Sequence, residues 1–255
     1  MASVLYWDPF SGISGDMAVG ALLALGADWN AIREAIDALA IDTLTVDHGV
    51  VSRGAVEAAR FQVSWTPSDP PVHRHLAEIL EIVQRAELPP RIQRRMETTF
   101  RVLAEAEARI HGQSPDAVHL HEVGAEDSIA DIVATMVALD SLHVEHCVVG
   151  PIATGWGWTQ GAHGPLPVPA PATLELLKGF IVTSGYEAVE LTTPTGAALL
   201  HGIGAVSQMA MPRGRLRAVG YGAGRRDLSH PNVLRAVLLD VDAEGEGVYG
   251  GNGAA

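Results

Sequence analysis

Strand-length and helix-length apolar runs alternate along the chain with no internal repeat, and this interleaving is what most constrains the fold. Ser3 to Trp7 is a short apolar run stopped by Asp8-Pro9, which reads as an opening strand. The loop Phe10-Ser-Gly-Ile-Ser-Gly-Asp16 leads into the Ala/Leu-rich stretch Met17 to Leu25, a buried helix that Gly26 can end. Asp28 can cap a second helix reaching Ala40, with the stripe Ile32, Ile36 and Leu39. Thr43 to Val51 and Val56 to Trp65 read as strands about a Ser52-Arg53-Gly54 turn. Helices are expected over 72–86 and 90–111, followed by a short extended piece over 117–123 and a helix over 128–142. A strand over 144–152, a Pro-rich stop (GPLPVPAPA), a helix over 171–177 and a strand over 180–183 come next. A loop-to-helix unit over 192–200 and late strands over 215–221 and 233–241 close the pattern. The expected class is α/β or α+β, with a mixed sheet flanked by helices and a helical inserted lobe around 70–112. Residues 1–242 are expected to form the folded unit and 243–255 a Gly-rich disordered tail.

Composition narrows the partners. With 17 Lys and Arg against 30 Asp and Glu, the formal charge of -13 argues against a nucleic-acid surface or an anionic membrane. It suits attraction of cations, or simply a solvated acidic surface. The one cysteine, Cys147, permits no intrachain disulfide and no Cys-rich metal site. Its apolar neighbours (HCVVG) favour a buried, inert thiol. MASVLYWDPF has no basic leader, and no apolar run reaches membrane-span length, so a cytoplasmic location is expected.

Several segments could carry chemistry. In the extended piece HLHE, His119 and His121 point to one face and could offer two imidazoles to nickel or zinc. Glu122 would join them only if the chain turns there. Asp127 and Asp131 lie four apart, hence on one helix face, and could orient the imidazoles or hold a hard cation beside a phosphate. The alternative is an ordinary strand-to-helix connection with Asp127 as the N-cap. Ser11, Gly12, Ser14 and Gly15 let backbone N–H groups approach an anion at a helix start, where Asp16 could cap or ligate. His163, in a turn-rich stretch, reads equally as functional or as a structural hydrogen-bonding group. Thr192 and Thr193, in ELTTPTG, suit a helix cap or a second anion cradle. Arg225 and Arg226 follow glycines and could clamp a phosphate or form a solvated tip. His73 and His75, in VHRHL, read as an auxiliary metal pair or as exposed helix-start residues. Trp156-Gly-Trp158 reads as an aromatic platform or as edge packing.

Taken in order, LYWDPFSGISGDMAVGALLALGAD, HLHEVGAEDSIADIV, HGPLPVPAPATLELLKG, ELTTPTGAALL and GYGAGRRDLSHPNVLR resemble one family. It comprises the nickel-insertion proteins of nickel-pincer cofactor biosynthesis, which serve lactate racemase and related enzymes. The resemblance runs from Leu5 to about Leu239. It implies a CTP-dependent cyclometallase that inserts nickel into pyridinium-3,5-bisthiocarboxylic acid mononucleotide, using Mg or Mn with the CTP. Such chemistry needs a nickel site, an acceptor for the ring proton and a phosphate cradle. On that expectation nickel falls to His119, His121 and Glu122 with Asp127 beside them, and the phosphate to Ser11, Gly12, Ser14 and Gly15. Thr192, Thr193 and Arg225 are the further substrate contacts, and Asp16 or His163 takes the proton. The family resembled is usually longer, with a C-terminal domain that carries nucleotide binding. CTP is therefore expected on a separate C-terminal domain, and self-association of this chain is expected. A non-catalytic nickel carrier and a paralogue acting on another nucleotide-like molecule remain open alternatives.

Overall fold

The computed structural model describes residues 1–41, 44–66, 74–120, 125–161 and 164–242. In chain order the elements are β1 (Ala2–Asp8), α1 (Gly15–Ala24), α2 (Trp29–Asp37), β2 (Thr45–Arg53), β3 (Val56–Ser64), α3 (Leu76–Gln84), α4 (Pro90–His111) and α5 (Glu126–Ser141). They continue with β4 (His146–Val149), β5 (Ile152–Ala153), β6 (Gly157–Gly161), β7 (Gly164–Val168), α6 (Pro171–Leu176), β8 (Val182–Thr183), α7 (Pro194–Gly202), β9 (Val206–Ser207), β10 (Arg215–Ala223) and β11 (Val233–Val241).

Seven strands form one mixed sheet in the order β2-β3-β10-β11-β1-β4-β9. β1 lies between an antiparallel neighbour and a parallel one: Leu5 stands opposite Leu238 of β11 and Cys147 of β4. Since β10 is also antiparallel to β11, β10 and β1 run the same way and end at the same edge of the sheet. The period-two pattern of β1 divides its side chains between two faces. Leu5 and Trp7 enter the main core with α1, α2 and α5, while Val4 and Tyr6 join Val148, Val237 and Leu239 in a second cluster.

With few aromatics, the main core closes by near approach of backbone. A Cβ at Gly222 would stand 1.8 Å from the Met17 carbonyl oxygen, and one at Gly220 would stand 2.3 Å from that of Ala21. Helix α1 therefore lies directly on β10, and these glycines are set by space. The helical stretch expected as an inserted lobe sends Leu76, Ile79, Met96, Phe100 and Leu103 into the same core as α1 and α5. Among the described residues, no helix is long and apolar enough to cross a membrane.

Local signals explain most boundaries. Asp28 caps α2 by accepting from Asn30 N (2.9 Å) and Ala31 N (3.3 Å). α5 begins two residues earlier than its pattern suggests: Ala125 is the N-cap and Asp127 falls inside the first turn. The expected strand over 144–152 divides into β4 and β5, which belong to different sheets. Trp156-Gly-Trp158 leads into a two-stranded hairpin, β6–β7, with both tryptophans exposed.

A cavity where three helices begin

The loop after β1, the residues after β10 and the N-termini of α1, α5 and α7 meet at one edge of the sheet. Ligand sites in open α/β sheets form at the carboxyl ends of strands, and the cavity lies at those ends of β1 and β10. The cavity has a volume of about 310 Å³, at the low end of the ~300–1,000 Å³ usual for small-molecule sites. Each helix presents there first-turn N–H groups that have no carbonyl partner within the helix, and the positive end of its dipole. Ser14 is the N-cap of α1, but its hydroxyl donates to Asp16 Oδ1 and caps no backbone N–H. Thr193 caps α7 by accepting from Gly196 N at 3.1 Å. Ser128 and Thr195 hydroxyls lie 3.2 Å apart and link α5 to α7.

Acidic groups dominate the walls: Asp16, Asp127, Asp131 and Glu190 face Arg225 and Arg226. Asp16 is well occupied. Its Oδ1 also accepts from Met17 N (2.9 Å), and its Oδ2 accepts from Arg225 Nε (2.9 Å). Asp127 accepts from Ser128 N at 2.8 Å, yet burial still raises its carboxyl above the usual range. Asp131 is 6% exposed, and its Oδ1 has no hydrogen-bond partner. Burial, then the charges of Asp16 and Asp127, push its carboxyl well above the usual range. At Arg225, burial works against the charge, but Asp16, Asp131 and Asp127 outweigh it and raise its pKa. The arrangement is a negatively biased pocket with amide-rich corners. One part attracts cations and accepts protons, and the other suits an anion.

Eight residues expected from the sequence therefore share this cavity: Ser14, Gly15, Asp16, Asp127, Asp131, Thr193, Arg225 and Arg226. Ser11, Gly12 and Thr192 lie outside its lining and build the wall behind it. Ser11 is fully buried, with its hydroxyl 2.8 Å from His230 Nε2 and 3.3 Å from Asn232 Oδ1. Gly12 has φ +81°, and a Cβ there would stand 2.1 Å from the Leu191 carbonyl oxygen. Thr192 donates to the Ala153 carbonyl (2.7 Å) and accepts from Ile13 N (3.3 Å). His119 is not among the lining residues; its ring packs on His75. His73, His121, Glu122 and His163 lie outside the described residues. Among the described residues, no three His, Cys, Asp or Glu side chains converge tightly enough to enclose a metal ion. Glu190 and Asn232 were not anticipated as wall residues, although each lies within a motif that carried the resemblance.

Fold and cavity together define an α/β protein with a polar cavity at the strand ends. The chain belongs to the nickel insertion protein family, which it matches over residues 5–251. A pyridinium-3,5-bisthiocarboxylic acid mononucleotide nickel insertion protein of Geobacillus kaustophilus is 43% identical over 244 residues, covering 92% of this chain and 59% of that protein. The protein of the same name from Desulfitobacterium hafniense is 40% identical over 245 residues, covering 96% of this chain and 60% of that protein. The chain thus spans about 60% of the length of these curated relatives. No solved structure matches it significantly.

Proposed function

We propose that residues 1–242 form the nickel- and substrate-handling unit of an enzyme that inserts nickel into pyridinium-3,5-bisthiocarboxylic acid mononucleotide. The reading rests on family membership together with one observation: three helix N-termini, Arg225 and a buried carboxylate with one unpartnered oxygen face one cavity. The substrate's phosphate would take the amide corner at Ser14, Gly15 and Thr193, with Arg225 as its counter-charge. Its pyridinium ring would then face Asp127 and Asp131.

Nickel enters as a substrate. Forming one nickel–carbon and two nickel–sulfur bonds expels the proton of the ring carbon that is metallated. Asp131 is better placed to take that proton than Asp16, whose two oxygens already accept three hydrogen bonds. Burial raises the proton affinity of Asp131, the direction that makes a carboxylate a stronger base. His119 would deliver the metal from the flank; His121 and Glu122, proposed as its fellow ligands, lie outside the described residues. CTP with Mg or Mn does not suit this cavity, because a triphosphate would meet four carboxylates and two guanidinium groups in about 310 Å³. CTP falls instead to the portion of the relatives that this chain does not match. A cytoplasmic setting and self-association complete the proposal.

The test is to incubate the pure chain with nickel and the dithiocarboxylate mononucleotide, with and without CTP and the remaining portion of a relative. Pincer product in the complete mixture supports the reading. Substrate and nickel consumed in no mixture would overturn it. Nickel binding without product in any mixture would favour a carrier.

A further inference from the structure

Away from the cavity, two segments far apart in sequence meet through a single antiparallel bridge. Leu120 N donates to the Arg74 carbonyl at 3.1 Å, pairing the segment before α3 with the one before α5. That pairing sets His75 beside His119, with ring centroids 4.2 Å apart and planes inclined at 39°. His75 is half-buried and His119 exposed, so the pair opens to solvent.

The tautomer of His75 follows from its partner. Its Nδ1 lies 3.2 Å from the Val118 carbonyl oxygen, which can only accept. In the neutral tautomer that donates from Nδ1 to this oxygen, Nε2 keeps its lone pair. A histidine that donates one ring N–H to a backbone carbonyl is already in the state a metal ligand needs. The backbone of His75 is fixed as well, its N–H donating to Glu78 Oε2 at 2.7 Å. An ion held ~2.0–2.1 Å from each of two imidazole nitrogens needs those nitrogens within about 4 Å, which small rotations of two rings with centroids 4.2 Å apart would provide.

The bridge is also tied to the cavity. Arg74 donates to Glu126 at 2.7 Å, with both side chains largely buried, and Glu126 precedes the cavity residue Asp127 in the first turn of α5.

We propose that His75 and His119 form a two-imidazole site for a borderline divalent metal at the approach to the cavity, with His75 a ligand supplied across the bridge. The choice of nickel as the ion rests on the function proposed above. An imidazole pair closed by water binds an ion loosely enough to release it, which is what a transfer station requires.

The test is calorimetric titration of the full chain with nickel chloride alone, comparing the native sequence with His75→Gln, His119→Gln and the double variant. Each single change should weaken binding at least tenfold, and the double change should weaken it little further, because either loss breaks the same site. Unchanged binding in His75→Gln, or no binding by the native chain, would overturn the proposal. Copper(II) loaded in place of nickel decides the matter should a variant not fold. The electron-spin spectrum of the native chain should show coupling to at least two nitrogens, and fewer than two would overturn the site. Nickel bound through His75 without any pincer product would sink the enzymatic reading and leave this site standing.

Discussion

Asp131 of α5 lies against Gly15 of α1 so closely that a Cβ at position 15 would stand 2.3 Å from its Oδ2 and 2.5 Å from its Cβ. The first turn of α1 can approach α5 only because residue 15 has no side chain. No rotamer of Asp131 relieves the clash, since its Cβ takes part. Gly15→Ala should therefore force the two helices apart and destabilise the fold by about 1–3 kcal/mol, as overpacking does. The better helix propensity of alanine, worth up to ~1 kcal/mol, opposes this loss without cancelling it. Urea unfolding of the pair checks the sign.

The second prediction concerns pH. Burial first, then Asp16 and Asp127, hold the Asp131 carboxyl well above its ordinary range. In the unfolded chain it ionises near ~3.9. Between that value and the raised one, the folded state keeps a proton that the unfolded state has lost, so stability falls as pH rises through this window. Asp131→Asn cannot ionise. Its stability relative to the native chain should climb from about pH 4 upward, by about 1.4 kcal/mol for each unit by which the carboxyl is raised, then level off. A gap that stays constant across pH would refute the assignment.

Arg225 gives a contrasting case. Its side chain is 61% exposed, so its ion pair with Asp16 adds under about 1 kcal/mol to stability. Arg225→Ala should unfold close to the native chain yet bind the dithiocarboxylate mononucleotide at least tenfold more weakly, because a charge-assisted phosphate contact is lost. Calorimetry with the substrate and thermal unfolding separate the two effects.

Cys147 should be inert. It is 3% exposed, and burial pushes its thiol up to about 12. At pH 8 a disulfide reagent should react with the folded protein at least ~100-fold more slowly than with the unfolded chain. Fast labelling of the native state would show that β4 opens readily.

How far the sequence reveals all this depends on the range of the interactions involved. The Asp28 cap and the span of β11 rest on local patterns, and both are read correctly. The i,i+4 spacing of Asp127 and Asp131 likewise puts both on the cavity side of α5. The hairpin β6–β7 is invisible to apolar alternation. Its strands, GWTQG and GPLPV, are rich in Gly and Pro, and a small two-stranded sheet tolerates Pro165 and Pro167 where a central strand would not. The repeated Ser-Gly pairs after β1 look equivalent in sequence, yet only Ser14-Gly15 reaches the cavity. Ser11 is drawn inward by His230 and Asn232, more than 200 residues away. Arg225 meets Asp16 across a similar separation. Such closures follow from strand order, which no local window contains.

The most direct test of the central claim is a crystal structure of the chain with the dithiocarboxylate mononucleotide and nickel, recorded at the nickel absorption edge. The phosphate should lie at the N-termini of α1 and α7 beside Arg225, with the pyridinium ring over Asp127 and Asp131 and the anomalous signal between that ring and His119. Substrate bound elsewhere on the chain, with this cavity empty, would contradict the account.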